Sequence, residues 1–410
     1  MDRARDGQVT GPGLPPVGPF ERLRRTHSLM VAGDTAMAVA LADSLFLSIS
    51  PDAARGKVLL FLAVSMAPFV VIGPWMGKRI DRMRGGHRML VIGVGVLRAV
   101  VLVLMSRSLD SLTLFPLAFS ALVLGKTYAI AKSAIVPTTV RGDRALVESN
   151  SKLGQTAGIT GFVVAPVAAS LQFLGASFTL VFGALAFLFA AVNAWRLPRV
   201  AVAETPAQPL EIEEMNSPAV MSAVRAMRTL RLAVGFMFFH MAFWLRGQSA
   251  GTAWFGLAVS LSGLATLAAN FAAPRLNRRL HEPAMMLASL VTVAIAGALA
   301  TWYDRVVGGI LLAAAVNAAA ATGRLSFEST VQSGAPDANR GRMFATFETQ
   351  NQLAWVLGGL VPVVIAPAGW LGFAAVASIG AVGTVIFLRD GGIPMGSRAG
   401  RARDRGRPPR

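Results

Sequence analysis

The sequence predicts an all-α polytopic membrane protein with twelve transmembrane helices in two pseudo-symmetric six-helix bundles. Three observations support this prediction: an apolar composition, twelve long apolar segments, and short motifs that recur at one spacing. Of the 410 residues, 54% are hydrophobic and only 15% are charged, whereas a soluble domain has roughly 25% charged residues. The mean hydropathy is +0.56. The chain therefore belongs in a lipid bilayer.

The twelve apolar segments set the number of membrane crossings, because about 20 apolar residues in a helix span the hydrocarbon core. The predicted spans are residues 28–50, 58–76, 89–106, 112–136, 146–174, 176–197, 232–245, 252–273, 284–302, 306–331, 343–366 and 369–388. The seventh span is short, and its start is expected to reach back toward Pro218. Six of the seven tryptophans fall at span ends, where an indole keeps its N–H in water. They are Trp75, Trp195, Trp244, Trp254, Trp302 and Trp370.

The basic residues predict the orientation. With both termini in the cytoplasm, 29 of the 39 Lys and Arg residues lie in inside segments and 5 in outside segments, and the remaining 5 lie within or at the ends of spans. Such a bias is the positive-inside signal of a protein of the plasma membrane. It accounts for the net charge of +18 without a nucleic-acid partner.

An internal repeat divides the chain into two halves. Four motifs recur 196 to 199 residues later: Ile80-Asp81-Arg82 as Leu276-Asn277-Arg278, Gly125-Lys126 as Gly323-Arg324, Pro137 as Pro336, and Arg141-Gly142 as Arg340-Gly341. Duplicated halves of this kind are typical of secondary transporters. We therefore predict a disordered N-terminal tail (1–27), a six-helix bundle (28–197), a cytoplasmic linker (198–224), a second bundle (225–390) and a basic disordered tail (391–410).

The basic loop between the second and third spans carries Gly77, then Asp81-Arg82, then Gly85-Gly86-His87-Arg88. This pattern resembles the signature loop of the major facilitator superfamily. The resemblance implies two helical bundles around a central cavity that opens to one side at a time. It also implies that Gly77, Asp81, Arg82 and Arg88 form a conformational latch, in which Asp81 braces one half against the other near the start of the eleventh span.

Charged residues inside the spans are the candidate cavity and coupling residues, because each costs roughly 2.5–3.5 kcal/mol on insertion scales. We select Asp34, Arg98, Lys126, Arg324 and Glu328. Asp43 lies nine residues from Asp34, on the opposite face of a helix. Asp34 is preferred because Gly33-Asp34 resembles the first-helix pattern of macrolide-exporter-like members of the superfamily. The alternative is that either aspartate only pairs with Arg98 or caps a broken turn.

The spacing of these charges predicts their partners. Arg324 and Glu328, four residues apart on a helix, are expected to pair with each other, although they can also face substrate. Arg98 and Lys126 are expected to face the cavity, with Asp34 as the carboxylate that exchanges a proton. An anionic or zwitterionic substrate would then be attracted to Lys126. Lys132 and Glu348 are assigned structural roles, the latter at the N-terminal end of the eleventh span.

Proton coupling is left open by the fifth span. Gly154, Gly158, Gly161 and Pro166 resemble the antiporter motif of drug exporters in degraded form, with Ala165-Pro166 where the family has Gly-Pro. Close packing of small residues against a neighbouring helix is the alternative. The Arg-x-x-Gln-Gly pattern of the family's fourth helix is also missing, so antiport is in doubt.

The sequence has no cysteine and no zinc-protease, serine-hydrolase or P-loop motif. We expect neither an enzyme nor a metal or cofactor site. The resemblance implies a secondary active transporter that works by alternating access, with export of a small amphipathic molecule favoured and a monomer in the bilayer expected. The alternatives are a lipid or glycolipid flippase, or a non-transporting membrane enzyme or sensor on the same fold.

Overall fold

The computed structural model of the chain describes residues 18–42, 86–109, 111, 113–140, 143–197, 217–334 and 340–391. In these ranges the secondary structure consists of eleven α-helices and one 3-10 helix, Leu245–Gly247. The α-helices are α1 (Pro19–Ala42), α2 (Gly86–Ser106), α3 (Leu114–Thr139), α4 (Asp143–Gln172), α5 (Ala176–Ala194), α6 (Pro218–Trp244), α7 (Gly251–Arg279), α8 (Glu282–Tyr303), α9 (Val306–Gly334), α10 (Arg340–Ile365) and α11 (Gly369–Arg389).

These eleven helices coincide with eleven of the twelve predicted spans, and the remaining span, 58–76, lies outside the described residues. Eight of them are long and apolar enough to cross a membrane. Large apolar side chains lie on their outer surfaces, including Phe162, Phe189 and Trp302, which are 74%, 59% and 91% exposed. Such surfaces suit contact with lipid and not with water. The chain is a multi-pass membrane protein.

The first helix begins earlier than predicted, since residues 19–27 are helical and do not belong to a disordered tail. Pro19 occupies the first helical position, where its fixed φ favours a helix and its missing N–H is no loss. Glu21 then accepts hydrogen bonds from Arg24 at 2.7 Å and Arg25 at 3.2 Å. The hydrogen bond from Arg24 holds the pKa of Glu21 below its usual value. These local bonds extend the helix beyond its apolar stretch.

The helix α6 also begins before the predicted boundary, so residues 218–224 of the predicted linker are helical. Pro218 again lies at the start of the helix. Val220, Val224 and Met227, spaced for one helix face, are 2%, 0% and 2% exposed. Burial of that face explains why the helix starts at Pro218, as the short seventh span suggested.

Each half has a buried core, formed by α1–α5 in the first half and by α6–α11, together with Ile130 of α3, in the second. The repeat is visible in the helix starts: α2 and α8 begin at 86 and 282, and α4 and α10 begin at 143 and 340. The two halves meet where α4 packs against α7 and α9, and where α3 packs against α10 and α9. This gives the two-bundle architecture predicted from the sequence.

Two glycines allow α6 and α10 to approach closely within the second half. A Cβ at Gly235 would collide with the backbone carbonyl of Trp355, and a Cβ at Gly358 would collide with that of Leu232. Small residues at crossing points are the usual means of close helix packing in membranes. The contact fixes α10 relative to α6 at the depth where both line the interior.

The helix connections define two ends of the molecule. At the end that we call the basic end, Arg22 of α1 donates to the carbonyl of Arg196 after α5 at 3.0 Å, and Arg225 of α6 pairs with Asp390 after α11 at 2.5 Å. At the opposite end, the Ser177 hydroxyl of α5 donates to the Ser106 carbonyl of α2 at 2.8 Å. The helices therefore run up and down between the ends.

Candidate functional site

A charged cavity lies between the two halves of the protein. Its volume is about 210 Å³, and α3, α6, α9 and α10 supply its walls. Four cationic and two anionic side chains line it, together with apolar and aromatic groups. The charged residues are Lys126, Lys132, Arg231, Arg324, Glu328 and Glu348. Among the described residues the lining therefore has an excess of two positive charges.

One ion pair in this cavity joins the two halves. The Lys126 Nζ of α3 lies 3.0 Å from the Glu348 Oε1 of α10, and both side chains are partly buried. The assignment of Glu348 to a helix N-terminus is wrong, because α10 begins at Arg340 and Glu348 lies more than two turns inside it. The carboxylate contacts Lys126 across the boundary between the halves.

A second ion pair stays within one helix. The Arg324 guanidinium and the Glu328 carboxylate lie 3.4 Å apart on α9, at the spacing of one helical turn. Both residues also line the cavity. Each of the two carboxylates that the described residues place in the cavity thus has one cation at ion-pair distance.

Two cations remain. Lys132 and Arg231 line the same cavity, and within the described part of the chain neither side chain forms an ion pair with a carboxylate. The Arg231 Nε is buried without a hydrogen-bond partner, as is the Asn351 Oδ1 on the α10 wall. Within the described residues, the cavity therefore has more cations than carboxylates, together with an open acceptor, the Asn351 Oδ1.

Asp34 and Arg98 pair with each other inside the first half. The Arg98 guanidinium donates through both terminal nitrogens to the two carboxylate oxygens of Asp34 and lies 4.1 Å from the ring centroid of Phe187. The Arg98 side chain is 1% exposed, whereas that of Asp34 is 45% exposed. The expectation that Arg98 faces the cavity is wrong, because Asp34 and Phe187 enclose it.

A larger, mostly apolar cavity of about 430 Å³ lies next along α6 and α10. Val234, Met237 and Met241 of α6 and Trp355 of α10 line it, and Gly158 of α4 adds a wall from the first half. Met227 of the charged cavity and Val234 are seven residues apart on α6, a rise of roughly 10 Å. A charged and an apolar compartment are thus stacked along the same two helices.

Polar contacts close the basic end between the halves. The Asn150 amide of α4 donates to Gln332 Oε1 of α9 at 2.8 Å, and Gln332 Nε2 donates to the Ser133 carbonyl of α3 at 3.0 Å. The Gln155 amide of α4 donates to the Asn270 carbonyl of α7 at 3.0 Å. We call Ser133, Asn150, Gln155, Asn270 and Gln332 the polar gate. It consists of hydrogen bonds between neutral groups, each of which contributes only about 0.5–1.5 kcal/mol net.

Two glycines of the fifth span pack against α7 beside this gate. A Cβ at Gly154 would meet the Asn270 side chain, and one at Gly158 would lie 2.6 Å from Leu267. Close packing of α4 on α7 thus explains why Gly154 and Gly158 have no side chain. Such packing is the alternative to an antiporter motif that the sequence left open.

Comparisons with known sequences find relatives but no family. No protein-family model matches the sequence. An uncharacterized protein of Mycobacterium leprae (strain TN) is 29% identical over 409 residues, covering 87% of this chain and 69% of that protein. An uncharacterized protein of Mycobacterium tuberculosis (strain ATCC 25618 / H37Rv) is 29% identical over 404 residues, covering 87% of this chain and 72% of its own length.

Three solved structures share the fold. A bacterial homologue of the iron transporter ferroportin in an outward-facing state has a TM-score of 0.70 at 18% identity, covering 91% of this chain and 99% of its own. The human organic anion transporter MFSD10 has a TM-score of 0.65 at 17% identity, covering 91% and 100%. FucP, a major facilitator superfamily transporter in the outward conformation, has a TM-score of 0.67 at 11% identity, covering 91% and 98%. The chain has the major facilitator fold.

Most of the latch loop expected of the major facilitator fold lies outside the described residues, including Gly77, Asp81 and Arg82. Arg88 is described: it is in the first turn of α2, and its guanidinium lies 5.4 Å from the ring centroid of Trp195 at the end of α5. Asp43 is also outside the described residues. The latch role of these residues stays a prediction.

Three cavity residues were missed or undervalued in the sequence analysis. Arg231 was counted among the cytoplasmic basic residues before the seventh span, although Pro218 after Ser217 signals a helix start that places Arg231 in the fourth turn of α6. Lys132 and Glu348 were assigned structural roles because each lies toward a span end. All three residues line the cavity because α3, α6 and α10 extend past the ends of the apolar segments from which the spans were predicted.

Proposed function

We propose that this protein is a secondary active transporter that works by alternating access and exports a small amphipathic molecule from the cell. The observation that carries this proposal is the pair of stacked cavities, one charged and one apolar, along α6 and α10. A molecule with a polar head and an apolar body matches both compartments at once. Charges at this depth in a bilayer are costly, and a substrate pathway is a common reason to retain them.

The contacts between the halves support alternating access. Beyond helix packing, the described contacts across the boundary include the Lys126–Glu348 ion pair and the hydrogen bonds of the polar gate. Such contacts can break and re-form as two rigid bundles rock about a central site. The positive-inside bias assigns the basic end to the cytoplasm, so the polar gate is closed toward the cytoplasm, with both termini on that side of the plasma membrane.

The fold alone does not choose a cargo. The similar structures include a homologue of an iron transporter and an organic anion transporter, and one fold commonly serves unlike substrates. We assign this chain to the exporter kind because its Gly33-Asp34 pair resembles that of macrolide-exporter-like members. The Asp34 carboxylate is the proposed coupling group, and Arg98 is its partner.

Reconstitution in liposomes tests this function. The purified chain is expected to move amphipathic compounds from a mixed panel across the membrane, faster with an imposed pH gradient than without one. Protein-free liposomes give the background leak. A panel in which no compound moves faster than in these protein-free liposomes would contradict transport.

A further inference from the structure

The charge balance of the cavity between the halves restricts the kind of molecule that binds there. Among the described residues, four cations and two carboxylates line it. Glu348 is paired with Lys126, and Glu328 is paired with Arg324. A cationic ligand would have to break one of these pairs to find a carboxylate. An anionic ligand would meet Lys132 and Arg231, for which the described residues provide no ion pair.

Burial of the cationic side chains strengthens the preference of this cavity for an anionic ligand. A buried cation that is only partly neutralised is unfavourable, because the protein interior solvates it poorly. Glu348 acts electrostatically on both Lys132 and Arg231, and Glu328 acts on Lys132. Each of these carboxylates is already paired with another cation. Arg231 has a buried Nε without a partner, and Lys132 is partly buried on the facing wall. An anion bound between them would supply charge-assisted hydrogen bonds to both, and these are among the stronger polar contacts in proteins.

The size of the cavity limits what enters it. A volume of 210 Å³ corresponds to roughly seven water molecules at about 30 Å³ each. It therefore fits a head group and not a whole drug-sized molecule. Phe327 and Phe347, whose ring centroids lie 5.9 Å apart, contribute apolar walls. The apolar cavity of 430 Å³ next along the helices is the space for the remainder of the ligand.

We propose that the ligand of this site is an amphipathic organic anion whose acid group binds between Lys132 and Arg231 while its apolar body lies toward Trp355. The proposal rests on the proposed function and names its substrate class. The open Asn351 Oδ1 adds an acceptor for a ligand hydroxyl or amide N–H beside the acid group. Lys132 and Arg231 are the residues that select the charge.

A matched set of three probes tests the charge preference: 4-phenylbutyrate, 4-phenylbutyramide and 4-phenylbutylamine. Binding is measured by thermal stabilisation of the purified full chain in detergent, since a ligand that binds only the folded state stabilises it. The acid is expected to bind at least tenfold more tightly than the amide or the amine. Equal binding of the three probes, or no binding of the acid, would overturn the proposal.

Substitutions of Lys132 and Arg231 test whether these two residues bind the acid group. Lys132→Gln and Arg231→Gln are each expected to weaken binding of 4-phenylbutyrate about tenfold, the loss of one charge-assisted contact, without changing binding of the amide. Arg231→Lys keeps the charge and should retain most of the affinity. If Arg231→Gln does not fold, Arg231→Lys still tests whether the charge at this position is sufficient for binding. Arg279→Gln removes an exposed charge at the end of α7 and should have no effect. Wild-type affinity in both glutamine variants would sink the assignment.

The same probes separate this proposal from the proposed function. If 4-phenylbutyrate binds with the expected selectivity but is not moved in liposomes, the anion site stands and transport fails. If 4-phenylbutylamine is transported and the acid neither binds nor moves, transport stands and the anion site is wrong.

Discussion

Lys126 and Glu348 lie 3.0 Å apart although 222 residues separate them in sequence, and their ion pair crosses the boundary between the two halves. The pair is placed between the polar gate and the apolar cavity, where it holds α3 against α10. Removing one partner therefore weakens the closed arrangement of the basic end. A partly buried pair of this kind contributes about 1 kcal/mol, which changes the open population about fivefold.

The absence of cysteine from the sequence provides a clean readout of this pair. We predict that Glu348→Gln increases the rate at which a water-soluble maleimide labels a single cysteine placed by Ser133→Cys, by about fivefold. Lys126→Gln should do the same. Lys152→Gln is the matched control, because the Lys152–Glu148 pair at 2.8 Å lies within α4. An unchanged labelling rate in both cavity variants would show that the pair does not restrain opening.

The polar gate yields a second prediction. Asn150 and Gln332 are joined by a hydrogen bond of 2.8 Å between the halves, so a short bifunctional thiol reagent should link Asn150→Cys to Gln332→Cys. The cross-link is expected to stop transport in liposomes, and a reducible reagent should allow recovery after reduction. The control pair is Ser106→Cys with Ser177→Cys, which joins two helices of one half. Transport that continues in the linked gate variant would argue against rocking of the halves.

The close approach of α6 and α10 yields a prediction about stability. Gly358→Ala places a methyl group against the backbone of Leu232, and overpacking of this kind destabilises a protein by about 1–3 kcal/mol. We expect a lower thermal midpoint in detergent. A Cβ at Gly256 on α7 would meet no atom of another element within 4 Å, so Gly256→Ala gains helix propensity without strain and should not lower the midpoint. Equal midpoints in the two variants would show that the helices adjust without strain.

The repeat allowed much of the fold to be predicted from the sequence, whereas the site depended on contacts that no local pattern contains. Apolar length and tryptophan positions located eleven helices and placed the starts of nine of them within three residues, because a bilayer imposes one length on every span. The two early helix starts were missed since Pro19 and Pro218 begin helices before their apolar stretches. The pairing of Arg324 with Glu328 was predicted because the two residues share a helix. The pairing of Lys126 with Glu348 was not predicted, because Glu348 belongs to the other half of the chain.

The Asp34–Arg98 pair carries the last prediction, which concerns coupling. Arg98 is 1% exposed and Asp34 balances its charge, so Asp34→Asn leaves a buried guanidinium without a counter-charge. Breaking a fully buried pair destabilises a protein by about 3–5 kcal/mol, and we expect roughly 2 kcal/mol here because Asp34 is 45% exposed. Adding Arg98→Gln removes the stranded charge and should restore most of the thermal midpoint.

This double variant separates the two roles of Asp34. If Asp34 exchanges the coupling proton, the stable variant Asp34→Asn with Arg98→Gln should transport down a substrate gradient at a near-normal rate but lose its response to a pH gradient. The control is His87→Gln, which removes another buried titratable group of α2 away from this pair and should keep the response. If the double variant is stable and still accelerates with the pH gradient, Asp34 is only the structural partner of Arg98, and another group carries the proton.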